Sequence, residues 1–160
     1  MIDTLNLMKI DNSIKIGKTI LTDKLAKNGS FEFYSYQGYF PVLNQYLIRG
    51  EYLDSLDYKM IDKSSGEIKQ SFVSYPIISK NGNFVAVCKT NEMDRQTYFE
   101  VYKYQNGFYN NSFKAAFTKW QVVDFEKFAF WGNDGSFYLK VNKMNIENTS
   151  VNSYLRITLN

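Results

Sequence analysis

Three turn signals in strict register constrain this chain more than any other feature. Asn28-Gly29, Asn81-Gly82 and Asp134-Gly135 stand 53 residues apart, each inside a matching pentapeptide. The three are Lys27-Asn28-Gly29-Ser30-Phe31, Lys80-Asn81-Gly82-Asn83-Phe84 and Asn133-Asp134-Gly135-Ser136-Phe137. Asn-Gly and Asp-Gly are strong hairpin signals, because both central residues of a type I′ turn need positive φ. A period of this size belongs to propeller-type or array repeats. One structural unit, used three times, is therefore expected.

An alternating or apolar run follows each turn: residues 31–36, 84–89 and 137–141. A second run lies further on, at 46–49, 98–102 and 154–157. Period-2 alternation rich in aromatics is a strand signal. A further hairpin is expected over residues 58–69, turning at Asp62-Lys63-Ser64-Ser65-Gly66, and another over 102–109, turning at Asn106-Gly107. The third repeat ends before this hairpin, and Leu7 to Ile16 resembles Lys59 to Ile68. The expectation is an all-β chain of three antiparallel, roughly four-stranded sheets in a propeller-like, pseudo-threefold arrangement. Pairing of the N-terminal hairpin with the C-terminal strand closes it and protects sheet edges. The whole forms a single domain, 1–160, with repeats at 23–75, 76–128 and 129–160 plus 1–22. A plain β-sandwich or barrel is the alternative. Residues 110–119 and 21–27 read either as short helices or as connecting loops.

Tyr (13), Phe (13) and Trp (2) make up 18% of the chain, which favours strands. Its 160 residues suffice to bury a core without staples. There is no histidine, which excludes Ser-His-Asp and Cys-His catalysis and histidine metal sites. The single cysteine, Cys88, lies among apolar neighbours and is expected to be buried in a strand. No cofactor or metal is expected. The net charge is +3 with Lys and Arg scattered singly, so no nucleic-acid partner is expected. No apolar run is long enough to span a membrane. The start, Met1-Ile2-Asp3-Thr4, lacks a basic region and an apolar region, so the chain as written reads as cytoplasmic. It reads as periplasmic if a leader has been removed.

Carboxylates are the remaining catalytic candidates, at Glu51/Asp54/Asp57 and at Asp124/Glu126. Residues 124 and 126 are expected to share a strand face. Nothing in the spacing brings two carboxylates to the ~5–10 Å a glycosidase needs, and no enzyme is expected. The Asp62–Gly66 segment lacks the alternating ligands of a calcium loop and reads as a turn. Binding is then the favoured role. The longest polar tract between two strands is Lys89 to Thr97, expected to be the tip of a long hairpin. Its Asn91, Glu92, Met93, Asp94, Arg95 and Gln96 are the primary partner-binding residues. Tyr36 and Tyr39 join them, because Tyr34 to Phe40 has the Tyr/Ser/Gly composition of a paratope. Asn142 to Ser153 is a third polar segment expected to project.

Two resemblances rest on these residues. Ser79 to Val87 resembles the S-P-D-G-K-x-hydrophobic strand signature of TolB-like β-propeller repeats, with Lys80 in place of the usual Pro. Ile61 to Ile68 resembles the accompanying D-x-x-S/T-G-E hairpin. The layout over residues 55–142 is also similar to small all-β immunity proteins that neutralise peptidoglycan amidase effectors of type VI secretion. That resemblance implies a bacterial toxin inhibitor whose 91–96 hairpin tip enters the toxin's active-site cleft. Those proteins are exported and often carry disulfides, features that a single Cys and no leader do not match. The alternative functions are a ligand- or carbohydrate-binding, or glycan-processing, propeller-like domain, and a structural or sensory propeller fragment.

Overall fold

The computed structural model describes residues 9–91, 96–143 and 152–159. They form an all-β structure of several antiparallel sheets, divided into two compact units. Unit 1 runs to Ser74 and includes Gly107–Tyr109; unit 2 holds Tyr75–Asn106 and the chain from Asn110 onward.

Unit 1 contains the hairpin β1 (Ser13–Ile16) and β2 (Thr19–Thr22). Its five-stranded sheet has β3 (Lys24–Leu25), β4 (Phe31–Phe40), β5 (Gln45–Tyr52), β6 (Ser55–Asp62) and β7 (Ile68–Phe72) in chain order. A 3-10 turn at Pro41–Leu43 joins β4 to β5. Ile14, Ile16 and Leu21 of the β1–β2 hairpin share one core with Tyr34, Tyr46, Ile48 and Ile61 of the sheet. The hairpin is seated by backbone on backbone. Lys18 N–H donates to the Ser65 carbonyl at 3.3 Å, and Thr19 Oγ1 donates to the Gly66 carbonyl at 2.5 Å. A Cβ on Gly66 would run into the Ile16 carbonyl oxygen, and one on Gly17 would lie 2.7 Å from Gly66 N, so only glycine permits the approach.

Unit 2 carries β8 (Ile77–Ile78), β9 (Phe84–Thr90), β10 (Thr97–Gln105) and, from Asn110 onward, β11 (Phe108–Phe117), ordered β11-β10-β9-β8. Its other sheet is centred on β14 (Phe137–Lys143). Strand β15 (Asn152–Ile157) pairs one side of β14; β12 (Trp120–Val122) and β13 (Phe130–Trp131) share the other, with the short helix α1 (Phe125–Phe128) between them in sequence. Phe99, Val101, Phe137, Leu139 and Val141 are fully buried in the core that joins these strands.

The 53-residue period is a structural repeat. Each pentapeptide links a two-residue strand to a long one: β3 to β4, β8 to β9 and β13 to β14, with starts at 24/77/130 and 31/84/137. The glycines have φ of 84°, 75° and 75°. Each donates its N–H three residues back, to Ala26, Ser79 and Gly132. The Asn or Asp side chain accepts the N–H two residues on, at 3.0–3.1 Å in all three. The turns are thus type I turns followed by a left-handed glycine, not the type I′ turns expected. The side-chain acceptor holds the Asx geometry, so Asn28, Asn81 and Asp134 need no positive φ. True type I′ geometry occurs at Asp11-Asn12 (φ 48° and 59°) and Asn106-Gly107 (φ 55° and 83°).

Other expectations change. Residues 110–119 form most of β11 rather than a helix or loop. Phe113 and Phe117 are four apart, a spacing that serves one strand face as well as one helix face. Residues 21–27 are divided between β2, β3 and the first turn. Asp124 and Glu126 open α1 and share no strand. The sheets have five, four and four strands beside the two-stranded hairpin, and β12 joins the third sheet although it precedes the third turn. Among the described residues, β1 pairs β2 and β15 pairs β14. Pairing of the N-terminal hairpin with β15, expected as the closure, is not among them.

Candidate functional site

The β9–β10 hairpin is a continuous antiparallel ladder from Phe84↔Lys103 up to Thr90↔Thr97. Val85, Ala86, Val87 and Cys88 are all buried, so β9 is covered on both faces. This covering pushes the Cys88 thiol up to about 12, making it a packing residue rather than a nucleophile. On β10, Tyr102 Oη–H donates to Glu100 at 2.5 Å, and Lys114 of β11 pairs with the same carboxylate at 2.9 Å. The tyrosine bond and then the lysine hold Glu100 below the usual carboxylate range against some desolvation. The ladder ends in two polar rungs and one bond along the second strand. Thr90 and Thr97 hydroxyls meet at 3.1 Å, Asn91 N–H donates to the Gln96 carbonyl at 2.9 Å, and Tyr98 Oη–H donates to Gln96 Oε1 at 3.3 Å. Asn91 and Gln96 are thereby brought together at the head of a braced stem. Glu92, Met93, Asp94 and Arg95 lie outside the described residues, as does most of the 142–153 segment.

Tyr36 and Tyr39 are also brought together, by a bulge. Tyr36 pairs with Ile48, Gly38 with Leu47 and Tyr39 with Tyr46, leaving Gln37 as an extra residue. Two tyrosines three apart therefore share one face of β4. Both rings pack on Tyr46, at 5.9 and 5.1 Å. Lys63 Nζ sits 4.6 Å from the Tyr39 ring centroid, and Tyr39 Oη–H donates to Asn44 Oδ1 at 2.9 Å. The rings lie half-buried against the core of unit 1 rather than projecting freely.

The carboxylates do not converge. Asp57 is held by Lys59 and accepts from Tyr52 Oη–H at 3.3 Å; Glu51 pairs with Arg49 at 3.2 Å. Asp62 Oδ1 accepts from Ser64 N, Ser65 N and Ser65 Oγ at 2.7–3.0 Å. The Ser65 backbone bond is the main cause of its lowered pKa, and the carboxylate is committed to its own turn. Among the described residues no cluster of three or more His, Cys, Asp or Glu side chains could hold a metal.

Sequence reasoning treated the repeated turns as scaffold and missed a cleft between two of them. Ser79, Lys80 and Asn81 of the second turn face Gly132, Asn133 and Gly135 of the third across about 530 Å³ of space, with Phe84 and Trp131 also lining it. Those rings stack at 5.7 Å, and Trp131 Nε1–H donates to the Ile77 carbonyl at 2.9 Å. The matching pentapeptides were the available signal. Comparison with protein families, with characterised proteins and with solved structures finds no match.

Proposed function

We propose that this chain is a non-enzymatic binding protein that inhibits a cognate bacterial toxin by inserting the 91–96 hairpin tip into the toxin's active-site cleft. The observation that carries the proposal is the braced β9–β10 stem, whose polar rungs run to the base of a tip composed of Glu, Met, Asp and Arg. A preformed stem lowers the ordering cost of binding. About 800 Å² from this side gives a standard interface, within reach of the tip and adjoining loops. The resemblance to immunity proteins suggests a peptidoglycan amidase as the toxin. In the same proposal the three larger sheets act as blades of a propeller-like scaffold that gives the hairpin a fixed seat. The test is co-expression with a toxin-like enzyme encoded beside this chain. The intact chain is expected to protect the cells. A variant with 91–96 replaced by Gly-Ser is expected to fold equally well and fail to protect. Full protection by that variant would remove the tip's role.

The aromatic cleft at Phe84 and Trp131 favours a second reading, a ligand- or carbohydrate-binding domain. Calorimetric titration with glycans and peptidoglycan fragments separates the two. Heat of binding that disappears in Trp131→Ala supports the ligand site; its absence leaves the protein partner.

A further inference from the structure

The outward face of β13–β14–β15 gathers rings and cations that the sequence keeps apart. Phe137, Leu139 and Val141 are fully buried, so Tyr138 and Lys140 of β14 face away from the core. Leu155 and Ile157 pack on that core, so Tyr154 and Arg156 of β15 face the same way. Register places Tyr138 between Phe130 and Arg156, and Lys140 opposite Tyr154. Phe130 stacks on Tyr138 at 5.2 Å with 12° between planes, and lies 6.3 Å from Tyr154. Phe130 is 47% exposed and Tyr154 54%. Lys140 and Lys127 stand 4.1 and 5.1 Å from the Phe128 centroid. The carboxylate on this face, Asp134, is already neutralised by Arg156 at 2.9 Å and accepts from Tyr138 Oη–H at 2.9 Å.

We infer that this face binds single-stranded nucleic acid, with the exposed rings stacking on bases and Lys127 and Lys140 meeting phosphates. The inference goes beyond the toxin-inhibitor proposal and uses none of its residues. A single strand offers one π-face and one negative charge per nucleotide, matching rings interleaved with cations across adjacent strands. A neutral sugar makes no use of the two lysines. The sequence holds no basic run because the sheet, not the chain, assembles the charge.

The test is fluorescence anisotropy of labelled 12-nucleotide oligo(U) and oligo(dT) titrated with the full chain. Neutralising about two phosphates predicts affinity falling roughly 5–10-fold between 50 and 200 mM salt. Phe130→Ser and Tyr154→Ser, at exposed positions that leave the core intact, are each expected to weaken binding about fivefold or more. Lys15→Gln, at the exposed position of β1, is the control and is expected to change it less than twofold. No binding at 50 mM salt overturns the inference. So does a loss in both ring variants no larger than the control's. Equal competition by poly-glutamate also overturns it and points to an acidic protein instead.

Discussion

Unit 1 builds its core from isoleucine and tyrosine: Ile14, Ile16, Ile48 and Ile61 with Tyr34 and Tyr46, and with Tyr36, Tyr39 and Tyr52 at the margin. Unit 2 uses phenylalanine: Phe99 and Phe137 fully buried, ringed by Phe84, Phe113, Phe117, Phe125, Trp120 and Trp131. The consequence is chemical. A buried tyrosine must find a partner for its hydroxyl, and in unit 1 Tyr34, Tyr39 and Tyr52 donate to Glu32, Asn44 and Asp57 at 2.9–3.3 Å. The Tyr34 and Tyr52 rings meet edge-on, at 85°. In unit 2, Phe99 stacks on Phe137 and Phe117 with 27° and 25° between planes. Directional bonds at the rim set one core, and shape and volume set the other.

The difference predicts unequal costs of substitution. Phe99→Ala removes the ring that Phe113, Phe117 and Phe137 pack around, and should cost about 3–5 kcal/mol. Chemical denaturation measures this, and hydrogen exchange should lose protection first in β9, β10 and β14. A cost near 1 kcal/mol would mean that unit 2 repacks freely. The next largest effect is in unit 1, where the β1–β2 hairpin supplies three of the buried core residues. Gly66→Ala combines positive-φ strain of about 1–2 kcal/mol with overpacking of about 1–3. A total of about 3 kcal/mol is expected. Gly29→Ala has the strain alone, because nothing lies within 4 Å of the added carbon, and should cost about 1–2 kcal/mol. Equal losses in the two variants would show that the hairpin is not seated on the Gly66 backbone.

The frame of this fold was legible because turn chemistry is local. Asn28, Asn81 and Asp134 bond their own backbone two residues on, and an alternating or apolar run follows each. The turn type was misread because an Asx bond and a pair of positive-φ residues leave the same dipeptide in the sequence. Features set by non-local contact were hidden. The bulge at Gln37 depends on the pairing of β4 with β5, so the shared face of Tyr36 and Tyr39 could not be read from a spacing of three. The seat of the N-terminal hairpin depends on two glycines, Gly17 and Gly66, that are unremarkable until their backbones meet. The excess of Phe in the later part of the chain lies in its composition, whereas Tyr is spread evenly along the sequence, so its part in the first core appears only with the hydroxyl partners. The stem of the candidate hairpin was legible for the same reason as the turns, since an apolar run and an alternating run on either side of a polar tract are local patterns.

The smallest predicted effect tests the tyrosine side of the comparison. Tyr34 is nearly buried, and desolvation first, then its bond with Tyr52, raises its pKa well above that of a free phenol. Burial likewise raises Tyr52, with the Tyr34 bond acting in the opposite direction. A raised native-state value means that the folded protein holds its proton where the unfolded chain gives it up. The stabilisation is therefore complete below the unfolded tyrosine value of about 10 and declines as pH rises from there toward the native value. Tyr34→Phe should cost about 1 kcal/mol at pH 7 by removing the Glu32 bond. It should also flatten the alkaline decline, so that the two proteins converge as pH rises past 10. Urea midpoints taken from pH 7 to 11 measure both. Parallel curves would show that the Tyr34 hydroxyl does not couple unit 1 to pH, and the contrast between the two cores would reduce to packing alone.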